Sequence, residues 1–188
     1  MDDYEPCEEK VVGLIHGKAF FDKIEGQWDA SQKECVDLGD SYYTKETAKA
    51  ARLAVQGIIL SIDNIMTKKW ESSLALVRPP GHHADMKGCI EGFCVYNNVA
   101  IGARYAIENY KEVNKVLIFD WDIHHGNSTY KVLKEDKDVL FISLHRFDDG
   151  KFYPGKLGSM DNIGEGEGRG LKVHVPWSMH EKSELVGT

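Results

Sequence analysis

The sequence predicts an α/β fold, a parallel sheet flanked by helices. Short continuous apolar runs, LALV at 74–77, VLIF at 116–119 and VLFISL at 139–144, alternate with stretches of helical periodicity. Turn-forming or polar residues close each run, such as RPPG after the first. Runs that are apolar throughout, rather than every second residue, belong to parallel strands covered on both faces and joined by right-handed crossovers.

The elements follow in order. Residues 1–40 mix charges with the short runs VVGLI and AFF and form a poorly assigned N-terminal segment. Residues 44–68 predict a helix in which Ala50, Leu53, Ala54 and Gly57 recur at helical spacing, with Thr44, Glu46 and Thr47 at its start. LALV is a buried strand. NNVAIGARYAIENYKEV, 97–113, is a helix with Asn97 or Asn98 as N-cap, because a short amide side chain accepts from the first free backbone N–H groups. KVLIFDWD, 115–122, is a second strand, and NSTYKVLKED, 127–136, a short helix. VLFISLH, 139–145, is a third strand. A loop with seven glycines from Gly150 to Gly170 leads to a fourth strand, LKVHVPW, at 171–177.

The 188 residues suffice for one domain with a sizeable core. A formal net charge of −7 argues against direct nucleic-acid binding, which needs a basic footprint. The acidic start MDDYEPCEEK is not a signal peptide, and no apolar stretch reaches the roughly 18–20 residues that span a bilayer. Cys7, Cys35, Cys89 and Cys94 lack CxxC spacing and read as free thiols of a reducing compartment. No GxSxG elbow, P-loop or strand-linked GxGxxG is present, and GEGEGRG at 164–170 precedes a strand, which suits phosphate poorly.

The polar residues concentrate at strand ends, where parallel sheets bind ligands. In DWDIHHG, 120–126, alternation in an extended chain puts Asp120, Asp122 and His124 on one side. An Asp-x-His pair is a sensible N/O ligand set for zinc, and a cation balances carboxylates that otherwise repel; the competing reading has the aspartates capping the next helix and the histidines in the core. In RPPGHHADMKGCIEGFC, 78–94, the adjacent His82 and His83 suit acid/base work better than joint ligation, and Asp120 is the carboxylate available to orient one of them. SLHRFDDGKFYPG, 143–155, offers Phe147, Phe152 and Tyr153 as a wall for an extended substrate; His145 reads as structural and Asp148–Asp149 as solvated. From the residues alone the expectation is a metal-assisted hydrolase in which water attacks a carbonyl.

RPPGHHA, GFCVYNNVAIGARYA, VLIFDWDIHHGNSTY, VLFISLHRFDDGKFYPG and LKVHVPW follow in order, and together they resemble the histone deacetylase family. RPPGHHA, and Asn127 after HHG, mark its class II branch. The likeness runs over 40–177, so residues 41–188 are expected to form a partial deacetylase-like domain of arginase/deacetylase fold. The resemblance implies zinc-dependent hydrolysis of acetyl-lysine in histones or other proteins. Asp122 and His124 match zinc ligands. His82 and His83 match the paired histidines, with Asp120 orienting His82 and Asn127 beside His83. Gly92 matches a glycine whose carbonyl accepts a substrate amide hydrogen. Phe93 and Tyr153 match the two walls of an acyl-lysine channel, Tyr153 standing where phenylalanine is usual. Asp120, Asp122, His124, Ser143 and Leu144 match a structural potassium site built largely from backbone carbonyls. His125 is structural. A corepressor complex as partner, residence in nucleus or cytoplasm, and no membrane contact complete the expectation.

The family's third zinc-ligand aspartate, in a GFDAH-like segment, and its transition-state tyrosine, in a GGY-like segment, have no counterpart in the 188 residues. The tail SMHEKSELVGT offers His180, Glu181 and Glu184 without placing them at a metal. Expectation therefore divides between a deacetylase truncated at its C-terminus, an inactive binder of metal or acyl-lysine, and an enzyme for small acetylated amines or polyamines.

Overall fold

A computed structural model of the chain describes residues 5–26, 43–44, 46–84 and 90–179. Cys35, Cys89, His180, Glu181 and Glu184 lie outside the described residues. The chain divides into two compact units, Met1–Asn114 and Lys115–Thr188.

The first unit is helical among its described residues. The unassigned N-terminal stretch contributes α1 (Glu9–Val12) and α2 (Lys18–Gly26). Helix α3 (Thr47–Met66) is the helix expected over 44–68, and it buries Ala48, Ala51, Val55 and Ile59 along one stripe. Its start is built by the threonines: Thr47 Oγ1 accepts the Thr44 N–H at 2.9 Å. Helix α4 (Asn98–Asn109) begins at Asn97, whose Oδ1 accepts from the Ala100 N–H at 3.2 Å, the cap expected of an asparagine there. Helices α3 and α4 approach closely because residue 102 lacks a side chain. A Cβ on Gly102 would lie 2.7 Å from Ile58 Cγ2. The end of the pair is tied by Asp63, whose carboxylate accepts from Tyr105 at 3.0 Å and Tyr110 at 2.7 Å. Burial and that carboxylate push the Tyr105 phenol up to about 12; for Tyr110 the hydrogen bond is the larger cause, again to about 12. The core joins Cys7, Val12, Phe20, Ile24, Tyr96 and Ile101 to the α3 stripe.

LALV at 74–77 forms no strand, and Leu74 and Leu76 are 83% and 89% exposed. An apolar run supplies side chains for a sheet, but a strand also needs a neighbour for its backbone groups, and no described residue pairs with it.

The second unit is a parallel sheet of β1 (Val116–Asp120), β2 (Val139–Arg146) and β3 (Lys172–Trp177), in that order. Val116 pairs with Val139 and Phe141 with Lys172. Helix α5 (Asn127–Leu133) connects β1 to β2 and buries Tyr130 and Leu133 beside the sheet's inner residues Ile118, Val139 and Phe141. On the opposite face Leu117, Phe119, Leu144, Val173, Val175 and Trp177 are each more than a third exposed. Lys172 points inward and is fully buried; its ammonium donates to the carbonyls of Asp136 (3.0 Å) and Val139 (2.8 Å), and burial lowers its pKa. The glycine-rich run packs on the end of α5 rather than cradling an anion: Glu165 N–H donates to Lys134 O at 2.8 Å, and a Cβ on Gly168 would sit 2.4 Å from the same oxygen. Among the described residues no helix is long and apolar enough to cross a membrane.

Candidate active site

The two histidines of RPPGHHA sit on a turn that the start of α4 holds. Gly81 lies so near that a Cβ would be 2.6 Å from both Asn98 N and Tyr96 O. The Asn98 amide donates to Pro79 O at 3.1 Å, and Ala84 N–H closes the turn on Gly81 O at 3.0 Å. A residue the sequence did not single out helps: buried His16, stacked on Phe20, accepts the Asn97 N–H at 2.9 Å through Nε2. The rings of His82 and His83 lie 4.0 Å apart between centroids, and His83 is 3% exposed. Gly92 and Phe93 follow on a turn against His83. Phe93 takes a left-handed φ of 66° and stays half exposed, a conformation costing a bulky residue on the order of 1–2 kcal/mol.

In the second unit Asp120 ends β1, and from there the chain turns instead of staying extended. Asp120 Oδ1 accepts the Asp122 N–H at 3.1 Å, and Asp122 Oδ1 accepts the His124 N–H at 2.8 Å. Aspartate bonds readily to backbone two residues on, so the repeat at 120, 122 and 124 produces the turn. Asp122 and His124 still meet, by this route and not by strand alternation: His124 Nδ1 lies 3.1 Å from Asp122 Oδ1. His124 is stacked flat on Phe152, with centroids 5.2 Å apart and planes 6° apart, and Tyr153 meets its edge at 5.6 Å. The Arg146 guanidinium covers the other ring, 4.4 Å from the Phe152 centroid, and pairs with Asp148. Asp148 is therefore not merely solvated as expected; it also accepts the Met179 N–H at 2.8 Å.

A carboxylate oxygen and an imidazole nitrogen 3.1 Å apart suit two ligands of one zinc ion, each bound at about 2.0–2.1 Å. Among the described residues no group of three or more His, Cys, Asp or Glu is arranged to hold a metal, so Asp122 and His124 stand as a pair. Ser143, one of the expected potassium ligands, pairs with Asp120 in the ladder, and Leu144 follows it on β2. Asn127 is the first residue of α5 and is buried.

Beneath these residues lies a cluster that the sequence did not reveal. His125 and His174 face each other through their Nε2 atoms at 3.2 Å, and His174 Nδ1 lies 3.1 Å from Ser159 O. Burial lowers the His174 pKa to about 4. A neutral His174 thus donates from Nδ1 to Ser159 and accepts at Nε2 from His125. His145 is also buried, between Ser143 Oγ at 3.0 Å and Gly158 O at 2.9 Å, and burial lowers its pKa. His125 and His145 are both buried and hydrogen-bonded within the unit, a setting that suits the structural role expected of them. His174 became visible only once β3 was placed beside β2, because its partners are 15 and 49 residues away.

The first unit thus brings together His82, His83, Gly92 and Phe93, and the second Asp120, Asp122, His124, Ser143 and Tyr153. The model of the histone deacetylase domain matches residues 1–186. Histone deacetylase HDA1 of Candida albicans is 40% identical over 186 residues, which are 94% of this chain and 22% of that protein. Polyamine deacetylase HDAC10 of Rattus norvegicus is 36% identical over 179 residues, 92% of this chain and 30% of that protein. In structure the chain is similar to the crystallised HDA15 HD domain, with a TM-score of 0.83 and 36% identity over 95% of this chain and 49% of that one. The chain therefore spans under a third of the curated relatives described and half of the solved domain, with the parallel sheet and flanking helices of the arginase/deacetylase fold. On the family match, the 40% identity and the shared fold, the chain belongs to the histone deacetylase family.

Proposed function

We propose that this chain carries part of the active site of a zinc-dependent hydrolase that removes acetyl groups from lysine in histones or other proteins. The observation that carries the reading is the Asp122–His124 pair, 3.1 Å apart just past the carboxyl end of a parallel strand. Asp122 and His124 would hold zinc, which when bound polarises a carbonyl and lowers the pKa of its water to about 7. His83 takes the water proton and returns it to the leaving amine. By the family resemblance, Asp120 would take the role of orienting His82, Asn127 the place beside His83, and the Gly92 carbonyl that of accepting the substrate amide N–H. By the family resemblance, Phe93 and Tyr153 would each serve as a wall for the acyl-lysine, the Tyr153 hydroxyl adding polarity or narrowing the space where phenylalanine is usual. Asp120, Asp122, His124, Ser143 and Leu144 would hold potassium, largely through backbone carbonyls; the Asp120–Ser143 ladder pair sets their two strands side by side. The targets are acetylated proteins in nucleus or cytoplasm, with a corepressor complex as setting.

A second reading, hydrolysis of acetylated polyamines, is favoured by the likeness to the rat polyamine deacetylase. A third is a metal- or acyl-lysine-binding protein without turnover. Turnover of an acetyl-lysine peptide and of an acetylpolyamine separates the three. The proposal predicts peptide hydrolysis that a chelator removes and zinc restores, and a His83→Ala variant that keeps zinc but loses turnover. Activity retained by His83→Ala would exclude His83 as proton carrier, and preference for the polyamine would favour the second reading.

A further inference from the structure

We infer that the turn from Glu91 to Cys94 is a positioning element for His83, gripping both its ring and its backbone. This rests on the reading of His83 as the proton carrier. The turn is tight: Cys94 N–H donates to Glu91 O at 2.9 Å, and the two residues form an isolated antiparallel bridge. Both central residues are left-handed, Gly92 with φ 54° and Phe93 with φ 66°, the backbone of a type I′ turn.

Two contacts follow from that shape. The Cα of Gly92 faces the His83 imidazole so closely that a Cβ would lie 2.3 Å from Cδ2 and 2.9 Å from Cγ. Backbone therefore walls one side of the ring and bars its rotation that way. On the other side of the turn, Cys94 folds its thiol back. Its Sγ accepts the His83 N–H at 3.4 Å, and its S–H donates to Gly92 O at 3.3 Å. The buried thiol thus links the residue that carries the proton to the carbonyl that receives substrate. A carbonyl oxygen has two acceptor sites, so the thiol leaves one for the substrate amide. Phe93, forced left-handed between them, is turned outward and half exposed, as a channel wall must be.

Gly92 and Cys94 act through His83, so the test reads His83 directly. In the full chain, labelled for NMR, the His83 ring Cδ2–H signal and the His83 amide signal are followed in Gly92→Ala, Cys94→Ala and Cys94→Ser. We expect Gly92→Ala to shift and broaden the ring signal and Cys94→Ala to move the amide. Cys94→Ser, whose hydroxyl can both accept and donate, should keep both near their wild-type positions. With an acetyl-lysine peptide, Cys94→Ala should lower kcat about tenfold and leave KM within about twofold, the pattern of misplaced chemistry rather than lost binding, with Cys94→Ser restoring kcat. His83 signals unmoved in both alanine variants would overturn the inference, and so would a Cys94→Ser variant that behaves like Cys94→Ala. If Gly92→Ala does not fold, the Cys94 pair decides. Absence of turnover in the wild-type chain would count against the proton-carrier reading alone, because the NMR signals report the grip without it.

Discussion

At the scale of the residue, much depends on side chains that are absent. Gly81 lets the His82–His83 turn sit directly on backbone at the start of α4, with Tyr96 O and Asn98 N 2.6 Å from where a Cβ would be. Neither atom belongs to a flexible side chain, so Gly81→Ala must displace the turn or the helix start. It should destabilise the chain by about 1–3 kcal/mol, as overpacking does, measured by denaturant unfolding. A variant as stable as wild type would show that the turn is free to shift. The glycine was legible in the sequence as part of a rigid turn, but its close contact was not, since Tyr96 and Asn98 reach it only through the fold. The Asp122–His124 pair was legible because i and i+2 residues meet in an extended strand and in an aspartate turn alike. The sequence could not tell which of the two brings them together.

At the scale of the element, strand β3 carries a histidine whose environment has a pH signature. Buried His174 faces His125, His145, Tyr130 and Phe141, and Ser159 O takes its Nδ1–H. Its folded pKa of about 4 lies below the ordinary 6.5, so between these values the unfolded chain binds a proton that the folded chain refuses. The stability this group contributes is present above pH 6.5 and is lost as pH falls towards 4, by up to about 3 kcal/mol. Denaturant unfolding at pH 7.5 and 5.0 should show a larger loss for wild type than for His174→Asn, and equal losses would refute the assignment. Sequence patterns located β1, β2, β3 and helices α3, α4 and α5 to within a few residues, because continuous apolar runs and an asparagine cap act locally. They misplaced LALV, because a strand also depends on a partner elsewhere in the chain. They left α1 and α2 unassigned, since charges and short apolar runs are mixed there without a flanking strand pattern to frame a helix.

At the scale of the whole molecule, the sheet presents Leu117, Phe119, Leu144, Val173, Val175 and Trp177 on one exposed face, and β1 and β3 are its edges. Exposed apolar area of this extent favours association. Sedimentation at tens of micromolar should show self-association that Leu117→Lys with Val175→Lys reduces; a chain that stays monomeric would contradict this. The central proposal is that Asp122 and His124, 3.1 Å apart, hold one divalent metal ion. The direct measurement is paramagnetic broadening of histidine ring signals when cobalt(II), standing in for zinc, is titrated into the chain. We predict that the His124 ring signal broadens at the lowest cobalt additions and that Asp122→Ala removes the effect. Cobalt that leaves the His124 ring sharp, or that broadens it equally in Asp122→Ala, would contradict the proposal.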